Sequence, residues 1–251
     1  MSGHSKWSTI RRKKGKLDAQ RGQLFTKLIK EITIAARQGG GDPDANARLR
    51  TAVANAKAAN MPAQNIERAI KKGTGELPGT TYEEYTYEGY GPSGVAILVE
   101  CLSDNKNRTT SEVRHIFSKY GGNLGQDGCV AWLFDQRGAI TIPRSEASEE
   151  QVMEIAIEAG ADDLDSEAEE FFWVYTPVTE LNAVSSALEE AGLPIESREL
   201  VRQPQTTVML GAEEARKLLR LMDALEEHDD VQKVHSNADI SADAMEQIQS
   251  E

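Results

Sequence analysis

The chain has 251 residues, of which 39% are hydrophobic and 27% charged, and its formal net charge is -13. This composition is typical of a globular protein of one to three domains and excludes disordered and fibrous classes. No stretch approaches the ~20 apolar residues of a membrane span, and the two cysteines provide no disulfide framework. We therefore expect a cytoplasmic protein without membrane partners.

Positive charge is concentrated at the start of the chain. Residues 1–80 contain 16 Lys and Arg against 6 Asp and Glu, whereas residues 81–251 contain 12 against 35. A basic segment in an acidic chain predicts a surface for an anionic partner, and nucleic acid or the ribosome are the first classes to consider. The first 17 residues, which contain no acid, are also compatible with a transit peptide, but we favour a nucleic-acid-binding arm.

The periodicity predicts three short amphipathic helices in the basic segment. The first spans 18–37 and ends at a run of three glycines. Asp42 before Pro43 predicts the N-cap and first turn of the second helix, and Asn60 marks the start of a third that stops at Gly73. These helices predict a small bundle over residues 1–77.

Residues 73–80 contain three glycines and a proline, which is typical of a domain linker. Beyond it the pattern predicts a β-β-α-β unit, with Thr109 and Glu112 forming a capping box at the start of the helix. The predicted elements are strands at 82–90 and 95–102, a helix at 110–120 and a strand at 129–134.

The next segment predicts the β-α-β-β-α-β order of a ferredoxin-like domain. Its predicted strands and helices are at 139–143, 149–158, 163–167, 170–175, 178–191 and 195–201. The strand, helix and strand that follow at 206–210, 213–227 and 231–236 have no sheet of their own, so we expect them to complete the preceding unit. The predicted fold class is α+β: a helical domain at 1–77, an α/β domain at 81–136 plus 204–240, and an inserted ferredoxin-like α/β domain at 137–203.

The candidate nucleic-acid contacts are cations that neutralise phosphates and an indole that stacks on a base. In the arm they are Lys6, Trp7, Arg11, Arg12, Lys13, Lys14 and Lys16. Lys27, Lys30, Arg50 and Arg68 extend this surface over the predicted bundle. The alternative is a solvated basic tail, with Trp7 packed on the bundle.

A second contact loop is predicted between an apolar strand and the helix at 110–120. Turn chemistry accounts for Asp104 and Asn105, but it does not require the cations that follow. The candidate contacts in this loop are Lys106, Asn107 and Arg108.

No motif in the chain predicts catalysis, a cofactor, a small-molecule substrate or a metal site. Cys101 and Cys129 lie in predicted apolar strands, where they are expected to act as small hydrophobic residues. The acidic clusters, including the one at 226–230, are expected to be solvated faces. A metal-dependent hydrolase that uses these carboxylates is kept as a remote alternative.

Several motifs occur together in an order that is specific to one family. They are Gly3-His4-Ser5-Lys6-Trp7, the segment 24–32, Asn60-Met61-Pro62, the segment 87–92, and the segment 104–109 followed by 121–125. On these motifs the chain resembles the YebC/PmpR family over at least residues 2–136. Members of this family often have Arg where this chain has Lys106, and lysine lacks the bidentate phosphate geometry of arginine.

The resemblance implies a cytoplasmic protein of three domains, a helical one followed by two α/β domains, that acts as a probable DNA-binding transcriptional regulator. The family also includes a mitochondrial translational activator of cytochrome oxidase, and bacterial members have been linked to stalled ribosomes. The resemblance therefore leaves a second function open, that of a ribosome-associated translation factor that binds ribosomal RNA.

Overall fold

The structure, a computed structural model, describes residues 19–168 and 170–249. Its α-helices are α1 (Ala19–Gly39), α2 (Ala47–Ala58), α3 (Ala63–Thr74), α4 (Lys106–Lys119), α5 (Glu149–Glu158), α6 (Leu181–Glu190), α7 (Ala212–Glu226) and α8 (Ala242–Gln249). Its strands are β1 (Glu83–Tyr90), β2 (Ala96–Ser103), β3 (Asn123–Leu124), β4 (Phe134–Pro143), β5 (Asp163–Asp165), β6 (Phe171–Thr176), β7 (Ser197–Pro204), β8 (Val208–Leu210), β9 (Val231–Ser236) and β10 (Ala238–Ile240). The fold is α+β, as predicted. None of the helices described is long and apolar enough to cross a membrane.

Helices α1, α2 and α3 pack around a core of their own that includes Ile32, Leu49 and Ile66. The predicted start of α2 is wrong, because its N-cap is Asn46, whose side chain accepts a hydrogen bond from the Leu49 N–H. The predicted end of α3 is also wrong. The helix runs on to Thr74, and Gly75 at φ 84° provides the left-handed C-cap.

A close approach between α1 and α3 explains the glycine that the sequence suggested as a helix end. A Cβ atom on Gly73 would lie 2.4 Å from the Thr33 carbonyl oxygen and 2.7 Å from the Ala36 Cβ. Only glycine lets the two helix backbones come this near, so Gly73 is a packing residue inside α3.

The first sheet has the strand order β3-β1-β2-β9. Strand β9 lies 128 residues after β2 in the chain and pairs with it antiparallel, from Ile97 opposite Ser236 to Cys101 opposite Val231. Helices α4 and α7 pack against this sheet through a core that includes Phe117, Leu218 and Leu221. Strands β8 and β10 form a separate parallel pair, which the sequence did not predict.

The second sheet has the order β5-β6-β4-β7, with every pairing antiparallel. In chain order these strands alternate with helices as β4-α5-β5-β6-α6-β7, which is the ferredoxin-like arrangement that the sequence predicted. Helices α5 and α6 pack on it through Val152, Ala156, Val184 and Leu188. The residue limits of the predicted domains stay a prediction.

Two local predictions around the first sheet are wrong. The expected strand at 129–134 is instead a turn with a short 3-10 helix at Ala131–Leu133, and β4 begins only at Phe134. The expected capping box is absent, because Asn105 is the N-cap of α4 and its side chain accepts the Arg108 N–H. Helix α4 therefore starts at Lys106, and the predicted contact loop is its first turn.

Candidate nucleic-acid interface

The arm residues proposed to contact nucleic acid lie outside the described part of the chain. They are Lys6, Trp7, Arg11, Arg12, Lys13, Lys14 and Lys16. The basic surface that the structure does describe is therefore that of helices α1, α2 and α3 and of the first turn of α4.

Arg50 on α2 and Arg68 on α3 are exposed. Neither guanidinium forms an ion pair with any described residue. Lys57 is also exposed, and it lies seven residues after Arg50, so both project from the same flank of α2. These three cations remain available to an anionic partner, and two of them are residues that the sequence proposed.

Lys30 does not belong to this exposed surface, contrary to its proposed role. Its side chain is buried, and its Nζ lies 2.6 Å from Asp230 Oδ1 and 2.9 Å from the Asp229 carbonyl oxygen. The ammonium also lies 5.6 Å from the centre of the Tyr82 ring. A buried ammonium with these partners joins the helical bundle to the rest of the molecule and is closed to a phosphate.

The proposed contact Lys27 is also engaged within the protein, because side chains of α1 hydrogen-bond to the C-terminal end of α7. Lys27 Nζ donates to the Glu226 carbonyl oxygen at 2.5 Å, and Gln23 Nε2 donates to the Glu227 carbonyl oxygen at 3.1 Å. The last carbonyls of a helix have no partner within the helix and carry partial negative charge. The amphipathic pattern correctly placed Lys27 off the apolar face of α1, and the partner on that side is the end of α7.

Asp230 is the central residue of the contact between the helical bundle and the rest of the molecule. The expectation that it lies on a solvated face is wrong, because it is buried. Its second oxygen accepts hydrogen bonds from Arg108 Nη2 at 2.8 Å, Thr109 Oγ1 at 2.7 Å and Ser103 Oγ at 3.0 Å. Burial by itself would raise the pKa of Asp230, but the hydrogen bonds from Lys30, Arg108 and Thr109 lower it well below its ordinary value. The carboxylate is therefore charged throughout the physiological range.

Of the three residues in the second predicted contact site, the hydrogen-bond network around Asp230 engages one and leaves two open. Arg108 is half-exposed, but its guanidinium already pairs with Asp230 and with Asp104 at 2.9 Å. Lys106 is exposed, with its ammonium 5.2 Å from the centre of the Tyr85 ring, and Asn107 is exposed beside it. Lys106 and Asn107 remain open to a ligand, whereas Arg108 serves mainly to hold Asp230.

A group of possible metal ligands lies next to the same carboxylate. Glu112, His228 and Asp230 each offer one ligand atom, and these atoms are within 4.8 Å of one another. His228 Nε2 lies 2.8 Å from Glu112 Oε2, while its Nδ1 accepts the Asp230 backbone N–H at 3.1 Å. Both ring nitrogens and the Asp230 carboxylate thus have partners within the protein, and we assign no metal to this group.

The two sheets are joined by a second set of ion pairs. Arg202 on β7 donates to Glu100 on β2 at 3.2 Å, and Lys233 on β9 lies 2.6 Å from Glu199 on β7. Burial alone would raise the pKa of Glu100, but the His235 imidazole, whose Nε2 lies 3.8 Å from the carboxylate, and the hydrogen bond from Arg202 lower it to about 2. Glu100 is therefore an anion that ties both sheets together.

We expect this carboxylate to make stability depend on pH in the acid range. Because its pKa is lowered in the folded state, Glu100 stabilises the fold above its unfolded pKa of about 4.3, and this contribution disappears as the pH falls towards 2. Urea unfolding at a series of pH values between 6 and 2 should show a shallower loss of stability for Glu100→Gln than for the wild type. The exposed Glu213→Gln variant is the matched control, and a slope equal to the wild type in Glu100→Gln would contradict the assignment.

Two models of one protein family match the chain, one over its basic segment and the other over its acidic segment. The model of the TACO1/YebC protein N-terminal domain matches residues 5–76, and that of the TACO1/YebC second and third domain matches residues 82–238. The chain belongs to the TACO1/YebC family. The resemblance drawn from the motifs is thereby confirmed.

The TACO1/YebC relatives cover the whole chain. A protein of Persephonella marina is 60% identical over 99% of this chain and 100% of its own length, and one of Chlorobaculum tepidum is 54% identical over 100% of both. Both are named probable transcriptional regulatory proteins. The crystal structure of a conserved hypothetical protein from Aquifex aeolicus, 54% identical, superposes with a TM-score of 0.83 over 90% of this chain and 93% of that one. The names of the Persephonella marina and Chlorobaculum tepidum relatives describe regulators.

Proposed function

We propose that this TACO1/YebC chain is a non-enzymatic, nucleic-acid-binding regulator of gene expression in the cytoplasm, with DNA as its target. The observation that carries the proposal is the separation of charge. Exposed cations without ion-pair partners in the described residues remain on α2 and α3, on a molecule whose other residues are strongly acidic. The names of the relatives support a regulatory role.

The pattern of exposure indicates how the surface would bind. Arg50, Lys57 and Arg68 are separate exposed cations on short helices, suited to phosphates along a backbone. The acidic body repels the same phosphates, so the phosphate contacts would be confined to the bundle and the arm. Because phosphate contacts carry no sequence information, we expect weak base preference and strong salt dependence.

Charge reversal on the bundle tests this proposal. In the double variant Arg50→Glu and Arg68→Glu we expect weaker binding to a DNA duplex and a shallower dependence of log K on log salt, by about 2, since each lost phosphate contact removes about one unit of slope. The measurement is anisotropy of a labelled duplex between low and physiological salt.

The matched control carries the same change of net charge on the acidic body. Lys217 and Arg220 on α7 are both exposed, so Lys217→Glu with Arg220→Glu should bind with nearly wild-type affinity and slope. Equal losses in the two double variants would mean that only net charge matters and would contradict a bundle surface.

The same titration separates the two targets that the sequence left open. A promoter duplex that binds more tightly than structured RNA, with competitor DNA present, supports transcriptional regulation. Tighter binding to ribosomes or structured RNA that depends on Arg50 and Arg68 would move the function to translation, because A-form RNA is recognised through different grooves and its 2′-hydroxyls.

A further inference from the structure

A pair of exposed aromatic side chains lies where the first sheet meets the turn before β4. Trp132 is 66% exposed and Tyr90 is 41% exposed. Trp132 Nε1 and Tyr90 Oη both donate to the Cys129 carbonyl oxygen, each at 3.2 Å. The same carbonyl oxygen therefore accepts hydrogen bonds from both side chains, and it places the Tyr90 hydroxyl next to the Trp132 indole N–H. We call Tyr90 and Trp132 the aromatic platform.

The turn that carries Trp132 is held by a buried carboxylate. Glu88 is 6% exposed and accepts three backbone N–H groups, from Gly128 at 2.6 Å and from Val130 and Ala131 at 2.7 Å each. Charge-assisted hydrogen bonds of this kind are stronger than neutral ones. The side chain of Val130 is fully buried in a small apolar cluster with Ala96 and Leu98 of β2, so apolar packing also holds the turn against the sheet.

The glycine-rich motif at 121–125 makes room for this arrangement. A Cβ atom on Gly122 would lie 2.8 Å from the Tyr90 carbonyl oxygen, and one on Gly125 would lie 2.5 Å from the Cys129 sulfur. On β1, a Cβ on Gly89 would lie 2.5 Å from the Asn123 carbonyl oxygen. Glycine at these three positions lets the turn pack directly against the strand that carries Tyr90.

The chemistry of the aromatic platform points to one kind of occupant. The donors of both side chains are already paired with the protein's own backbone, so what these exposed side chains offer a partner is their aromatic surface. The indole N–H and the Tyr90 hydroxyl hydrogen are both engaged, so a partner that requires a hydrogen-bond donor from these side chains is not favoured. An unpaired nucleobase needs only a π-face, and every base has one.

We propose that Tyr90 and Trp132 form a stacking site for unpaired bases of single-stranded nucleic acid. The inference rests on the proposed function, to which it adds a class of target: a nucleic acid with exposed bases, bound by phosphate contacts on the bundle and by stacking on the aromatic platform. Because both rings are fixed before binding, little side-chain entropy is lost on contact.

The test uses the full chain and two labelled probes of about 12 nucleotides, a length within the site sizes of known single-strand binders. One probe is single-stranded oligothymidylate, and the other is the same backbone with abasic sites in place of bases. We expect Trp132→Ala to weaken binding to oligothymidylate about 5- to 100-fold and to leave binding to the abasic probe unchanged. The salt slope should stay at the wild-type value, because no phosphate contact is removed.

Conservative variants and a matched control complete the design. Trp132→Phe and Tyr90→Phe keep a ring and should retain most of the affinity, whereas Tyr90→Ala should lose it in part. Met209 on β8 is 65% exposed, which is almost the exposure of Trp132, so Met209→Ala controls for the loss of an exposed apolar side chain. Circular dichroism on each variant checks that the fold is retained.

The outcomes separate the aromatic platform from the proposed function. Wild-type affinity for oligothymidylate in Trp132→Ala, with weakened binding in the Arg50 and Arg68 double variant, would overturn the aromatic platform and leave the proposed function standing. A wild-type chain that binds duplex DNA but not oligothymidylate would also overturn the aromatic platform and leave the proposed function standing. A wild-type chain that binds neither probe nor duplex would overturn both.

Discussion

Replacing Asp230 with alanine is expected to lower the free energy of unfolding by about 3–5 kcal/mol, which is the usual effect of removing one partner from a buried ion pair. The substitution leaves the Lys30 ammonium without its counter-ion in a buried site and removes the acceptor of Arg108, Thr109 and Ser103. Urea denaturation followed by circular dichroism measures the loss. Small-angle scattering should show a larger radius of gyration, because the bundle is no longer held against α4 and β9.

Two further variants show whether the charge or the position matters. Asp229→Asn changes an exposed side chain of the same run and should be nearly neutral. Asp230→Asn keeps an acceptor but not the charge and should fall between the wild type and Asp230→Ala. An Asp230→Ala protein with wild-type stability and dimensions would show that the ion pair does not hold the bundle.

Replacing Glu88 with alanine is expected to lower the free energy of unfolding by about 3 kcal/mol. Three backbone N–H groups lose their acceptor at once, and an unpaired buried donor costs about 1–3 kcal/mol. Burial would raise the pKa of this carboxyl, yet the three N–H groups lower it, so the group that is lost is a charged acceptor at neutral pH.

Hydrogen exchange at the Val130 amide is the sharpest measurement of this effect. That amide is bonded to Glu88 and its residue is fully buried, so its protection should fall by a larger factor than that of amides in α5. Asp127→Ala, an exposed carboxylate of the same turn, is the control and should change neither quantity. Unchanged protection of Val130 in Glu88→Ala would show that the turn is held by its apolar anchors alone.

These two carboxylates bear on function as well as stability. Asp230 fixes the bundle, with Arg50 and Arg68 on it, relative to the sheet that carries the aromatic platform. Glu88 fixes the turn that carries Trp132. A nucleic acid that reaches both surfaces would meet them at a set distance, so either variant should weaken binding even where its own side chain touches no ligand.

Local pattern was sufficient for most of the elements. The helix at Glu149–Glu158 agrees residue for residue with the prediction, because a capping box and an unbroken apolar period both lie within ten residues. The predicted strand at 129–134 was wrong for a different reason. Its residues have strand propensity, but Glu88, some forty residues earlier, takes the N–H groups that a neighbouring strand would have bonded.

The sequence by itself determined the charge separation, the family and most of the helices and strands, since these depend on composition and on short-range periodicity. Only the tertiary structure decided which cations face solvent. Lys30 and Arg50 both lie off the apolar stripe of an amphipathic helix, yet Lys30 is buried against Asp230 and Arg50 is exposed. The physical reason is that an ion pair between residues 200 positions apart depends on how the helices pack against the sheet, and helical periodicity carries no information about that packing.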